Sequence, residues 1–585
     1  MRALLAAALV LAAALPAQPV AAREARASRA DARLRALYDG YWQWQLETFH
    51  RIETARGEVQ PGDALPSVAP AAQAERLAYY EALLARLDAI DVGALSAPEQ
   101  ANAAVLRADL AERIGDARFR EWEMPFDSDS SFWSYLDARR GFETVEEYDR
   151  YLARIRQVPR YFDEQIANAR AGLERGFSVP RVTLAGRDAS VEPYTRVEGN
   201  PFGVAFEQIP ERFPETERAR LRREGRAAIA AQVVPAYAKL LAFLREDYLP
   251  NTRETLAAEA VPDGAAWYAQ NIRQYTTLDL GAEEIHKIGL AEVARIEGEM
   301  RVVMAEVGFT GTIAQFNASL KSDPRFVART PDELMGVSAY VAKRVDGRLE
   351  DMFGFLPRKP FTIRPVPDAI APFYTAGRGG EGACQMNTHD LPSRPLYNIP
   401  ALTLHECTPG HSFQFSFQSE QAQVPDFRRN IYFSGMGEGW GLYCEFLGEE
   451  MGIYRTPYER FGRLSYEMWR AVRLVIDTGI HHYGWSREKA VRYLADRTAL
   501  SDHEVGTEVD RYISWPGQAL AYKLGEMTIR RMRAKAEAAL GERFDIRKFH
   551  DVVLALGSVP LPLLEARIDR FIAEGGKGLD GVVYD

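Results

Sequence analysis

Two histidines and a group of carboxylates in the C-terminal half have the types and spacing to hold a metal ion and activate water. Residues 404–414 read LHECTPGHSFQ, so His405 and Glu406 are adjacent and His411 follows His405 by six positions. Neutral imidazoles are nitrogen ligands for zinc, and a neighbouring carboxylate is a base for water. In the pattern H-E-x-x-H the histidines are four apart and share one helix face. Six apart, at about 100° per residue, they stand roughly 120° apart around a regular helix and cannot chelate one ion. Pro409 and Gly410 lie immediately before His411. Proline lacks the N–H that would bond back to the carbonyl of His405, and glycine accepts dihedrals that other residues resist. The sequence therefore predicts a bulge or break at 409–410 that brings His411 back towards His405.

A catalytic zinc commonly takes three protein ligands and keeps one position for water. The candidate for the third is Glu438, in GMGEGWGLYCEFLGEE at 435–450, with Glu445 two turns further along the same predicted helix face.

HECTPGH followed by EGWGLYCE resembles the bacterial family catalogued as domain of unknown function 885, itself similar to the gluzincin zinc metallopeptidases. EGWGLYCE also resembles the N-E-G-F-A-x-Y-x-E segment of zinc aminopeptidases. The histidine interval departs from the aminopeptidase pattern. The family resemblance runs over residues 77–572 and includes the segments 276–300, 473–494 and 510–525. It implies one zinc ion held by His405, His411 and Glu438, with Glu406 as general base. It also implies that Glu445 supports the ligands from behind or faces substrate.

Further polar residues have weaker patterns. Asp477 and His481 stand four apart in DTGIHHYGW, close enough on a helix to touch, so that Asp477 could orient His481 as a catalytic residue stabilising the transition state or as support behind the site, or the two could be a buried structural pair. Tyr512 in DRYISWPGQA could hydrogen-bond a developing oxyanion or simply pack beside Trp515. Arg511 could anchor a substrate carboxylate through a two-pronged contact. There is no GxxxxGK[ST] phosphate loop and no G-x-S-x-G elbow.

These residues must be positioned by a large scaffold. At 585 residues the chain predicts two to four subdomains. Residues 1–22 read as a cleavable secretory signal: Arg2, an apolar run over 3–15, and small residues at 20–22. The expected location is therefore periplasmic or secreted, and the absence of a cysteine near the cleavage point argues against a membrane anchor. A net charge of −10 argues against nucleic acid or an anionic membrane as partner. Three cysteines, Cys384, Cys407 and Cys444, leave a disulfide open, with the pair unspecified.

Helical periodicity dominates 23–54, 74–92, 97–117, 144–175, 215–247 and most of 402–575, with Thr144 a plausible cap. Short strands are expected at 361–367 and 395–400, and residues 383–388 as a strand edge for pairing with a peptide substrate. The expected architecture is mainly α and multi-lobed, with a small sheet beside a deep cleft. The expected division is a signal at 1–22, an N-terminal helical region at 23–275 and a catalytic region at 276–585. The function expected is a zinc metallopeptidase acting on short peptides or small amides. The rivals are a zinc hydrolase of a non-peptide amide or ester, a metal-free binding protein on the same fold, and an enzyme with Cys407 as nucleophile.

Overall fold

The computed structural model describes residues 20–584, apart from 55–56, 129–130, 368–370 and 421–423. The signal expected at 1–22 thus lies almost wholly outside the described residues. The first helix, α1 (Val20–Thr48), is followed by an unforeseen hairpin of β1 (Arg51–Glu53) and β2 (Val59–Pro61), with Arg51 opposite Pro61. Two antiparallel partners, α2 (Pro70–Asp88) and α3 (Ala97–Phe119), complete this part.

The next stretch builds a core of its own. In α4 (Val145–Ile155) the hydroxyl of Thr144 accepts the N–H of Glu147, and the Glu147 carboxylate takes the N–H of Thr144 in return. This reciprocal cap satisfies donors that the helix start leaves open. Tyr148, Tyr151, Leu152 and Ile155, spaced by three and four, form the buried face. They pack with α5 (Val158–Arg175) and with a continuous helical run over 215–251. Pro235 and Pro250 have no N–H to return to the preceding turn, and the run widens into π turns at Ile229–Val233 and Leu244–Tyr248 just before them. By length and hydropathy this run is apolar enough to cross a membrane. Its Val233, Tyr237, Leu240 and Phe243 are instead buried in this core.

The larger core does not begin at residue 276. Residues of α1 to α3 share it with the C-terminal half: Tyr38 stacks on Phe427, with ring centroids 5.0 Å apart, and Arg428 donates to Asn102 at 3.0 Å. The expected division at 275 is therefore displaced, because the apolar faces of the first three helices find their cover beyond residue 400. The larger core runs over residues 34–114 and 293–571, a second over 126–248 with Leu65, and a third, small cluster gathers Phe177, Trp267, Tyr268 and Leu524.

The larger core contains α6 (Ala282–Glu306) and a set of later helices. Here α7 denotes Ile399–Glu406, α8 His411–Ser419, α9 Ser434–Glu450, α10 Pro457–His481, α11 Asp502–Ser514 and α12 Ala521–Leu540. The chief partner of α6 is α10, which is buried continuously from Phe461 to His481. Helices α9 and α12 cross almost backbone to backbone. A Cβ on Gly525 would lie 2.0 Å from the carbonyl oxygen of Gly435, and one on Gly439 would lie 2.6 Å from Gly525. That approach seats α9, which carries Glu438 and Glu445.

The second sheet has the order β3 (Thr362–Pro365), β5 (Ala383–Met386), β4 (Gly377–Gly380). Strand β3 is parallel to β5, with Ile363 opposite Cys384, and β4 is antiparallel to it, with Gly379 opposite Cys384. The strand expected at 361–367 is β3. The segment 395–400 is not a strand: it turns into α7, with Pro400 in the first turn, where a missing N–H costs nothing. Residues 383–386 form the centre of the sheet, so the edge strand beside the histidines is β4. The molecule is mainly α, with sheets of two and three strands among the described residues, and a cleft with a cavity volume of about 2570 Å³ opens between the two cores.

Candidate metal centre

The break foreseen at 409–410 is complete rather than a kink. Helix α7 ends at Glu406, the Thr408–Pro409 peptide is cis, and α8 begins at His411. The turn is tight: a Cβ on Gly410 would lie 1.8 Å from the carbonyl oxygen of His405, so only glycine fits. Trp440 secures the turn from α9 by donating its indole N–H to the Pro409 carbonyl at 3.0 Å. The disulfide Cys384–Cys407 ties it to β5. Cys407 is fully buried in that bond, which removes it as a nucleophile. Cys444 is a buried free thiol.

The consequence is convergence. The ring centroids of His405 and His411 are 5.0 Å apart and nearly perpendicular. Glu438 Oε2 lies 3.5 Å from His405 Nε2 and 3.4 Å from His411 Nε2. One donor atom from each of the three lies within 4.8 Å of the others. Ligands about 2.1 Å from a common tetrahedral centre stand about 3.4 Å apart, so this donor set fits a zinc ion.

The surroundings hold the donors in that orientation. His405 Nδ1 lies 2.8 Å from Glu445 Oε1. A carboxylate can only accept, so Nδ1 carries a hydrogen and Nε2 is directed at the centre. Glu445 is 1% exposed and sits behind the ligand. Arg470 Nη2 approaches the same Glu445 oxygen at 3.5 Å. His405 lies flat on α9, where a Cβ on Gly441 would come within 2.7 Å of its ring. Burial works to lower the His405 pKa, but its bonds to Glu438 and Glu445 outweigh that and raise it to about 10. For Glu438, burial works to raise the pKa, and the bonds from His405 and His411 hold it well below the carboxylate range. In this arrangement a proton compensates the charge that a cation would otherwise neutralise.

Glu406 lines the cleft and accepts the N–H of Gly379, on β4, at 2.6 Å through Oε2. The Gly379 N–H points away from β5, so the edge strand touches the candidate base directly. Tyr432, which sequence reasoning passed over, donates its hydroxyl to Glu438 Oε1 at 3.3 Å. The residue is 40% exposed at the cleft, while desolvation of its hydroxyl and the charge of Glu438 push its pKa up. Only its position on the chain, six residues before Glu438, hinted at proximity.

Three expected residues are placed elsewhere. Asp477 and His481 do not bond each other. Asp477 accepts the Tyr268 hydroxyl at 2.7 Å and the Gly517 N–H. His481 accepts the Ala258 N–H on Nδ1 and donates through Nε2 to the Tyr512 carbonyl at 2.8 Å. Both are fully buried, away from the cleft lining. Tyr512 is 1% exposed, and its hydroxyl is taken by Trp469 at 2.8 Å and Arg473 at 3.0 Å. It is a support for those two residues and does not face the ligands. Arg511 does line the cleft, bonded to Gln518 at 3.1 Å and Tyr522 at 3.3 Å.

A mainly helical protein with two large cores and a His–His–Glu cluster in the cleft between them is the class that fold and site define. The chain belongs to the family described as bacterial protein of unknown function (DUF885), whose model matches residues 52–568. No curated protein matches it. Among solved structures it is similar to the "putative lipoprotein from Colwellia psychrerythraea", with a TM-score of 0.84 and 26% identity, covering 94% of this chain and 99% of that one. It shares its fold with a "putative lipoprotein of unknown function from Shewanella oneidensis", with a TM-score of 0.65 and 16% identity, covering 91% and 98%.

Proposed function

We propose that this protein is an exported, zinc-dependent peptidase of short peptides. The observation that carries the reading is the meeting of His405, His411 and Glu438 beside Glu406. Nitrogen and carboxylate donors in this ratio are those of catalytic zinc sites. A bound ion there supplies Lewis acidity, which polarises a carbonyl and lowers the pKa of a water.

The chain's own groups do the rest. Glu406 takes the water's proton; because Oε2 is held by Gly379, the proton goes to Oε1, and it then passes to the leaving amine. Tyr432 offers a neutral O–H beside the ligands for the carbonyl oxygen, the task first considered for Tyr512. Strand β4 lines the cleft beside Glu406, where an extended main chain can run, which favours a peptide over a non-peptide amide or ester. The Cys384–Cys407 disulfide suits an oxidising compartment, and the lipoprotein description of both structural neighbours supports an exported, envelope-associated location. Both agree with the secretory pattern of residues 1–22.

Metal analysis of the purified protein, together with a Glu406→Gln variant, tests this reading. The expected result is about one zinc per chain in both proteins, with turnover of peptides lower by about 10²–10⁴-fold in the variant. Full activity in the variant, or a wild-type protein that binds no metal, would refute it.

A further inference from the structure

On the floor of the cleft is a cationic wall that the metal centre does not use. Arg470 and Arg473 of α10, Arg511 of α11 and Tyr522 of α12 line it. It is deep: Trp469, Arg470, Arg473, Glu508, Gln518 and Tyr522 are each less than a tenth exposed.

Arg473 is the fixed element. Its Nε donates to the Tyr512 hydroxyl at 3.0 Å, and its Nη2 donates to Glu508 Oε2 at 2.8 Å. The guanidinium lies between aromatic faces, 4.5 Å from the Trp469 centroid and 4.2 Å from that of Tyr522. Such stacking fixes the plane of the group. The remaining nitrogen, Nη1, is buried without a partner, as is Nε of Arg470. A buried charged donor left unmatched is costly, so the site calls for an acceptor. The planar, singly charged partner of a guanidinium edge is a carboxylate.

We propose that Arg473, with Arg511 beside it, binds the free C-terminal carboxylate of a short peptide in the cleft. The terminal source is favoured over an acidic side chain by depth: a chain end can reach this floor, whereas a mid-chain residue needs an exit for the main chain beyond it. The wall adjoins the metal centre through Arg470 and Glu445, which holds His405. Tyr512 acts as a positioning residue for Arg473. The proposal rests on the peptidase reading for its ligand, but binding can be measured without turnover.

The test is calorimetric binding to the zinc-supplemented Glu406→Gln protein. Three N-acetylated tripeptides serve as probes: a free acid, its C-terminal amide, and an amide with glutamate in the chain. The free acid should bind about tenfold tighter than either amide, or more. Arg473→Gln should abolish that preference and Arg511→Lys should weaken it, both in proteins whose melting curves remain cooperative. Should Arg473→Gln not fold, Arg511→Lys and the comparison of acid with amide still decide. Equal affinity for acid and amide, or no binding of any probe at millimolar concentration, would overturn the proposal, whether or not wild type cleaves peptides. Equal affinity for the acid and the glutamate-containing amide would overturn the assignment to a chain terminus.

Discussion

Two buried clusters of charge lie close together in the larger core, and they are built on opposite plans. Around Lys523, which has no exposed surface, the ammonium bonds Glu467 and Glu526 at 2.8 Å and Glu292 at 3.1 Å. Arg463 bonds Glu467 at 2.7 Å, and Arg295 bonds Glu292 at 2.8 Å and Glu467 as well. Arg530 on Glu526, Glu449 on Arg463 and Glu299 on Arg295 extend it to four cations and five carboxylates, each matched by a partner of opposite charge, and the cluster is closed. Around His405 and His411 stand Glu406, Glu438 and Glu445, faced by Arg470 at Glu445 and by Arg378 near Glu406. The first arrangement holds α6, α10 and α12 together. The second leaves an anionic surplus at the edge of a cleft, the condition under which a metal ion gains most.

The largest expected effect breaks the closed cluster. Lys523→Met strands carboxylates in the interior and should destabilise the protein by roughly 3–5 kcal/mol in denaturant titration. Zinc content of the protein that still folds should be unchanged, and a loss of zinc would show that the clusters are coupled. Next, Glu445→Gln replaces the charged acceptor that orients His405 by a neutral amide. Zinc affinity should fall about 10–100-fold in competition with a chelator, while stability without metal changes far less. An unchanged affinity would show that α9 alone orients the ring.

A pH series separates both clusters from His481, a buried residue kept uncharged. Burial depresses its pKa from 6.5 to about 3. The unfolded chain therefore takes up a proton as pH falls below 6.5, whereas the folded chain does so only near 3. Stability is lost through that window on acidification. His481→Gln should flatten the fall of Tm between pH 6.5 and 3 relative to wild type, and parallel curves would contradict the assignment. The smallest effect belongs to an exposed pair, Lys287 with Glu283 at 2.6 Å. Lys287→Ala should leave the melting curve where it was, because solvent screens the pair.

What the sequence made legible follows from periodicity and spacing. The helical scaffold, the Thr144 cap, strand β3 and the meeting of His405, His411 and Glu438 all rest on patterns within a few dozen residues. The misplaced residues turn on direction. Arg511 and Tyr512 are neighbours, but one step of about 100° sends the first to the cleft and the second into the core. Strand order was equally hidden, since β4 and β5 differ by a turn of two residues and either could have been the edge. The wall of Arg470 and Arg473 did leave a trace: arginines within the apolar run of α10, where buried charge is rare without a partner. The shared core of residues 34–114 with the C-terminal half left none, because no local pattern reports which distant face covers a helix.

The interval between the two histidines is set by a four-residue turn rather than by helical pitch. Each imidazole belongs to its own helix, and the turn between them is pinned by the Cys384–Cys407 disulfide and by Trp440, so their meeting does not depend on the pitch of one helix. A search for the fixed four-residue repeat of a single-helix zinc motif passes over such a chain. Proteins with a severed helix of this kind are better sought by the glycine that lets the turn close and by the indole that fastens it.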